Sequence, residues 1–104
     1  MVTRFDSDPV FRALADRTRR EIVEVLGAGP KAVHDLAGRF EMSRPAVSKH
    51  LRILREAGLV SLEPSGKENL YRLEPGPMAE VIGWMNRHWS ARLSGLKALA
   101  EAKQ

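Results

Sequence analysis

The chain contains no cysteine. That absence excludes disulfides, thiolate metal sites and cysteine nucleophiles, and it accords with a reducing compartment. Aromatic residues are scarce too, at 6% of 104 residues, with a single tyrosine. No apolar run reaches the ~18 residues that a membrane span needs, and no apolar h-region follows the N-terminus. The expectation is a cytoplasmic chain with no membrane partner. Catalytic patterns are equally thin. Ser94-Gly95-Leu96-Lys97 spells the S-x-x-K of some hydrolases, but it falls late on an amphipathic stretch with no second motif and no oxyanion loop. Gly27-Ala28-Gly29-Pro30-Lys31 follows a helix pattern rather than a strand and lacks the spacing of a phosphate loop. No paired carboxylates fall in a plausible cleft. The sequence therefore reads as a non-enzyme with no catalytic residues, no metal site and no cofactor.

What is present is a basic globular domain. The chain is 43% hydrophobic and 29% charged, with net charge +4 and a sequence pI near 10.0. Its length suits one domain over residues 1–104, and its charge favours a polyanion, nucleic acid first.

The segment from Ser43 to Val60 carries most of the functional information. At 100° per residue it makes a helix with two faces. Val47, Leu51, Leu54 and Gly58 fall in one narrow stripe, and Arg44, Pro45, Ser48, Lys49, Arg52 and Arg55 fill the opposite side. The stripe is the part that anchors to a core. The polar side offers cations and small hydrogen-bonding groups suited to a DNA groove. Ser43 is a suitable N-cap, Pro45 fits the first turn, and Gly58 is a suitable stop.

Earlier segments are shorter. Asp8-Pro9 opens a first helix ending at Leu14, with Asp8 as its cap. Asp16 caps a second helix over 17–26 that puts Ile22, Val25 and Leu26 on one face, and Gly27 and Gly29-Pro30 stop it. A third spans 32–40, with Val33, Leu36, Ala37 and Phe40 inward. Glu41-Met42 then turns into the Ser43 helix, which is helix-turn-helix spacing. Strands over 59–63 and 69–73 flank the turn cluster Pro64-Ser65-Gly66-Lys67 and form a hairpin. Lys67 at its tip and Arg72 on its second strand add positive charge. Pro75-Gly76-Pro77 breaks the chain. A helix of ~38 Å then runs from Met78 to Lys103, too long to be covered by so small a domain. Met85, Trp89, Leu93 and Leu96 lie on its apolar stripe, and Phe5, Phe11 and Leu14 are candidates to pack beside it as a seam between two copies. His50, at the edge of the recognition-helix stripe, reads as structural. His34 reads as a surface residue near a phosphate path, and His88 as an interface residue.

Phe11-Arg12-Ala13-Leu14-Ala15-Asp16-Arg17-Thr18-Arg19-Arg20-Glu21-Ile22, the Ser43–Val60 helix, and Gly66-Lys67 with Leu70-Tyr71-Arg72-Leu73 together resemble the ArsR/SmtB family of winged-helix repressors. The resemblance covers about residues 8–73 closely and the last helix by position. It implies a homodimer joined by its first and last helices. The family's metal sites do not carry over. Its Cys-Val-Cys-Asp-Leu segment reads Ala32-Val33-His34-Asp35-Leu36 here, and the last helix holds only His88 and the distant Glu80, short of the about four ligands that tight zinc needs. The family's small hydroxyl cap for the third helix is replaced by Ala32.

The fold expected is mainly α (α+β), a winged helix-turn-helix of about five helices with one β-hairpin wing, in which 77–103 is the dimerisation helix. The function expected is sequence-specific regulation of transcription, as a dimeric repressor on an inverted-repeat operator in double-stranded DNA. Ser43, Arg44, Pro45, Ser48, Lys49, Arg52, Lys67 and Arg72 are the DNA-binding candidates. A small-molecule effector of unidentified chemistry stands as a further candidate partner. The competing class is a winged-helix module that binds protein or RNA without reading DNA.

Overall fold

The computed structural model describes residues 7–102, so Phe5 and Lys103 lie outside the described residues. Helices α1 (Asp8–Leu14) and α2 (Arg17–Leu26) lead into a short strand β1 (Lys31–Ala32). Helices α3 (Val33–Phe40) and α4 (Arg44–Glu56) follow, then strands β2 (Val60–Ser65) and β3 (Glu68–Leu73), and finally α5 (Gly76–Ala102). The described residues thus form five helices and one antiparallel sheet of order β1-β3-β2. This is the winged helix-turn-helix arrangement expected from the sequence.

Side chains set the helix ends. Asp16 caps α2 by accepting from the Arg19 backbone N–H at 3.0 Å. Ser43 caps α4 by accepting from the Ala46 N–H at 3.3 Å. Helix α4 stops at Gly58, whose φ is +78°. The Gly58 N–H donates to the Arg55 carbonyl and the Leu59 N–H to the Leu54 carbonyl, the paired bonds of a Schellman motif. A methyl at Gly58 would meet Pro77 Cγ at 3.3 Å, so the start of α5 also presses on this turn. Ala32 precedes α3 with no side-chain cap bond, as expected from its lack of a hydroxyl.

Three boundaries differ from the sequence reading. The residue capping α1 is Ser7, not Asp8, which falls inside the first turn beside Pro9. The hairpin is longer than expected, because Pro64 and Ser65 join β2, pairing with Asn69 and Glu68. Strand β2 is an edge strand, where proline's missing N–H costs no ladder bond. The turn shrinks to Gly66-Lys67, with Gly66 at φ +60° as a two-residue hairpin of the II′ kind requires. Gly76 and Pro77 belong to the first turn of α5, where a missing N–H is tolerated.

The core joins α1, α2, α3, α4 and the base of the hairpin. Val10, Ala13, Ile22, Leu26, Leu36, Leu59 and Val60 are buried around Val47, Leu51 and Leu54, which are 0% exposed. The apolar stripe of the Ser43 helix is thus the centre of the domain. Arg19 ties three helices together. Its Nε donates to the Ala13 carbonyl at 2.6 Å and its Nη2 to the Arg12 carbonyl at 3.1 Å, satisfying acceptors at the end of α1. Its Nη1 lies 3.4 Å from His50 Nδ1 on α4. His50 is half-buried in this cluster, the structural place assigned to it.

The Asp16 carboxyl is held below its ordinary value of 3.8. The Arg19 N–H bond is the largest cause; partial burial opposes it, and the charges of Arg19 and His50 add to the lowering. A depressed carboxylate stabilises the fold above its unfolded value and loses that contribution as pH falls through the folded one. Asp16→Ala should therefore cost about 1 kcal/mol at neutral pH, and the gap to wild type should close below pH 3.8. Urea unfolding of both proteins at neutral and acid pH checks this; an equal gap at both would contradict it.

Helix α5 behaves differently from the rest. Val81 is its one buried residue among those described, and Met78 packs against the core. From Trp84 to Ala102 every described side chain is exposed. The helix leaves the body of the domain, and the radius of gyration is 17.0 Å against about 13 Å for a compact chain of this length.

Candidate nucleic-acid interface

Burying Val47, Leu51 and Leu54 fixes the rotation of α4 and turns its other side outward. Arg44, Pro45, Ser48, Lys49, Arg52 and Arg55 are all exposed. Among the described residues, no carboxylate lies within ion-pair distance of Arg44, Lys49, Arg52 or Lys67. These cations are therefore available to an anionic partner, unlike Arg17, which pairs with Glu21 at 3.2 Å. The Ser43 hydroxyl is exposed but engaged as the cap of α4.

Four of the predicted site residues, Arg44, Lys67, Arg52 and Arg72, fall into three places. Arg44, from the first turn of α4, and Lys67, from the wing tip, line one cleft of about 280 Å³ together with His34, Glu68, Asn69 and Tyr71. Arg52 and Arg55 border a shallow groove between α4 and β2. Arg72 is apart from both: it pairs with Glu63 across the hairpin at 3.4 Å and lies by the 26–30 turn. His34, Asn69 and Tyr71 were not among the predicted contacts. For His34 the sequence offered a surface position near a phosphate path; the cleft itself was not legible, because its neighbours Lys67, Glu68, Asn69 and Tyr71 come from the wing.

The seam residues are also accounted for. Phe11 is 49% exposed, Met85 43%, Trp89 46% and Leu96 63%. Leu14 lines an apolar hollow of about 430 Å³ with Met78, Ala79 and Ile82, where α1 and α2 approach the first turns of α5. The side chain of Leu93 lies outside the described residues. His88 stacks on Trp84, ring centroids 4.9 Å apart, and its Nδ1 is 2.8 Å from the Trp84 carbonyl. Among the described residues, no group of three or more histidine and carboxylate side chains could hold a metal ion. No described helix is long and apolar enough to cross a membrane.

A core-anchored helix with an unpaired cationic face, a helix-turn-helix before it and a basic wing after it define a winged helix-turn-helix domain of the DNA-binding class. A family model described as "Bacterial regulatory protein, arsR family" matches residues 16–61, which span α2 to the start of β2. The HTH-type transcriptional regulator Rv2034 of Mycobacterium tuberculosis is 42% identical over 103 residues, 99% of this chain and 96% of that protein. The transcriptional repressor SdpR of Bacillus subtilis is 37% identical over 76 residues, 73% of this chain and 84% of that protein. The solution structure of the homodimeric winged helix-turn-helix DNA-binding domain of Mb0332 from Mycobacterium bovis aligns with a TM-score of 0.66 at 26% identity, over 85% of this chain and 93% of that one. The chain belongs to the ArsR family of bacterial transcriptional regulators, whose members are regulators rather than enzymes.

Proposed function

We propose that this protein is a homodimeric repressor that binds an inverted-repeat operator in double-stranded DNA. The observation that carries the reading is the exposed face of α4, with Arg44, Lys49 and Arg52 free of carboxylate partners among the described residues. In this reading Ser48, Lys49 and Arg52, with Pro45, read base edges in the major groove. Arg44 and Lys67 hold backbone phosphates and set the register. The N-terminus of α4, where Pro45 and the Ser43 cap leave only the Arg44 N–H free among the described residues, adds its helix dipole. Arg72 adds a weaker phosphate contact, since its guanidinium is shared with Glu63. Helix α5 is the dimerisation helix, a reading supported by its exposed apolar side chains and by the homodimeric state of the Mb0332 domain. Two copies then present two recognition helices to half-sites about one DNA turn apart.

Arg52→Ala should weaken operator binding by about 1–3 kcal/mol and relax preference at one base pair. Titration of labelled operator checks this, and unchanged affinity would remove α4 from the role of reader. Arsenical resistance operon repressors are among the relatives, one of them from Escherichia coli at 35% identity. This chain has no cysteine and, among the described residues, no metal-spaced cluster. Micromolar Zn²⁺, Cd²⁺ and arsenite should accordingly leave operator affinity unchanged. A tightly bound stoichiometric metal that releases the DNA would refute that expectation.

A further inference from the structure

The cleft between the helix-turn-helix and the wing contains an arrangement that the recognition-helix reading does not use. His34, in the first turn of α3, has carboxylates beside both ring nitrogens. Its Nε2 lies 3.4 Å from Asp35 Oδ1, and its Nδ1 lies 3.6 Å from Glu68 Oε1 on the wing strand β3. A neutral imidazole leaves both carboxylate charges uncompensated; the imidazolium, 3.4 and 3.6 Å from them, offsets both. The charged ring attracts one carboxylate on its own helix and one across the cleft, on the wing.

The same cleft is lined by Arg44 from α4, Lys67 from the turn, and Asn69 and Tyr71 from β3. Lys31 of β1, paired in register with Tyr71, directs its ammonium to the Gly29 carbonyl instead. Two cations, an amide and a phenol thus surround a space that two carboxylates, Asp35 and Glu68, would make hostile to an anion. With His34 neutral, Arg44 and Lys67 are offset by Glu68 in the cleft and Asp35 beside it. With His34 charged, the balance is one net positive charge. The imidazole is 42% exposed, so an entering anion can reach it.

We propose that this cleft seats one phosphate of the DNA backbone between Arg44 and Lys67, and that His34, as its imidazolium, opens the seat by offsetting Asp35 and Glu68. The inference rests on the DNA-binding reading above and adds a proton to it. A phosphate brought beside the ring favours the charged form, so binding takes up protons and affinity rises as pH falls. Because a phosphate carries no sequence information, the effect belongs to specific and non-specific DNA alike.

The test uses a labelled duplex of random sequence, titrated at constant ionic strength near pH 6 and near pH 8, either side of the range where histidine ordinarily titrates. Wild type is expected to bind about tenfold more tightly at the lower pH, the direction that proton uptake on binding requires. His34→Gln should lose most of that ratio and bind at pH 6 as wild type binds at pH 8. His34→Lys, with a permanent charge, should bind tightly at both. A ratio that survives in His34→Gln or His34→Lys, or a wild type with no ratio, overturns the inference while leaving DNA binding intact. A wild type that binds no duplex at either pH overturns the DNA-binding reading and this inference with it. Circular dichroism of each variant separates a folding defect from a lost contact.

Discussion

Trp89→Glu is expected to convert the protein from dimer to monomer and to lower operator affinity by roughly 10²–10⁴-fold, the factor that joining two weak half-site contacts supplies. The expectation follows from where α5 is packed and where it is not. Its first turns are held, with Val81 buried and Met78 against the core. Beyond Gly83 the described side chains are exposed, including Trp84 at 45%, Met85 at 43%, Trp89 at 46%, Leu96 at 63% and Leu99 at 61%. Met85, Trp89, Leu96 and Leu99 share one side of the helix at its natural period. A lone domain rarely leaves so long an apolar stripe in water, and in the proposed dimer a second copy of the same helix covers it. Removing a buried tryptophan costs about 3–5 kcal/mol, and the glutamate adds the penalty of a charge enclosed in an apolar seam. The domain core should be spared, because Trp89 is 46% exposed and is not part of the buried cluster. Sedimentation with DNA titration checks both parts. A variant that remains dimeric with normal operator binding, or a wild type that is itself monomeric, would remove α5 from the mechanism.

Leu51→Ala is expected to destabilise the fold by about 2–5 kcal/mol, a large share of the ~5–15 kcal/mol that holds a domain together. Leu51 is 0% exposed and lies between Val47 and Leu54, where α4 meets the other helices. The next residue behaves in the opposite way. Arg52 is exposed, and its truncation should leave stability within about 0.5 kcal/mol of wild type. Urea unfolding of Leu51→Ala and Arg52→Ala therefore separates anchor from reader within one helical turn. Equal losses of stability in the two variants would mean that the two faces of α4 are not divided as the structure places them.

The recognition helix was legible in the sequence because its determinants are local. Ser43 and Gly58 mark its ends through single hydrogen-bonding and backbone preferences, and Val47, Leu51 and Leu54 fix its rotation through period alone. Asp16 was legible for the same reason. Strand β1 was not, because two residues carry no periodicity and Lys31-Ala32 becomes a strand only by pairing with Tyr71 and Leu70. Pro64 in β2 reads as turn chemistry until the strand is known to be an edge. Arg72 and Lys67 look alike in sequence. The sheet separates them, giving Arg72 a carboxylate partner in Glu63 and leaving Lys67 free of one among the described residues. The surroundings of His34 were hidden for the same reason. Asp35 is its neighbour in sequence, but Glu68 reaches it only once the wing has folded back beside α3.

The central claim, that α4 of a dimer reads a DNA sequence, is tested most directly by selecting duplexes from a randomised pool with the full-length protein and measuring affinity and stoichiometry on the winners. The account predicts one enriched inverted repeat, with half-sites spaced about 10 base pairs or a multiple apart. Two protomers should bind per duplex, at an affinity of at least about 10³-fold above random sequence at the same salt. No enrichment, or equal affinity for selected and random duplexes, would contradict it and leave a winged-helix module that binds RNA or protein instead.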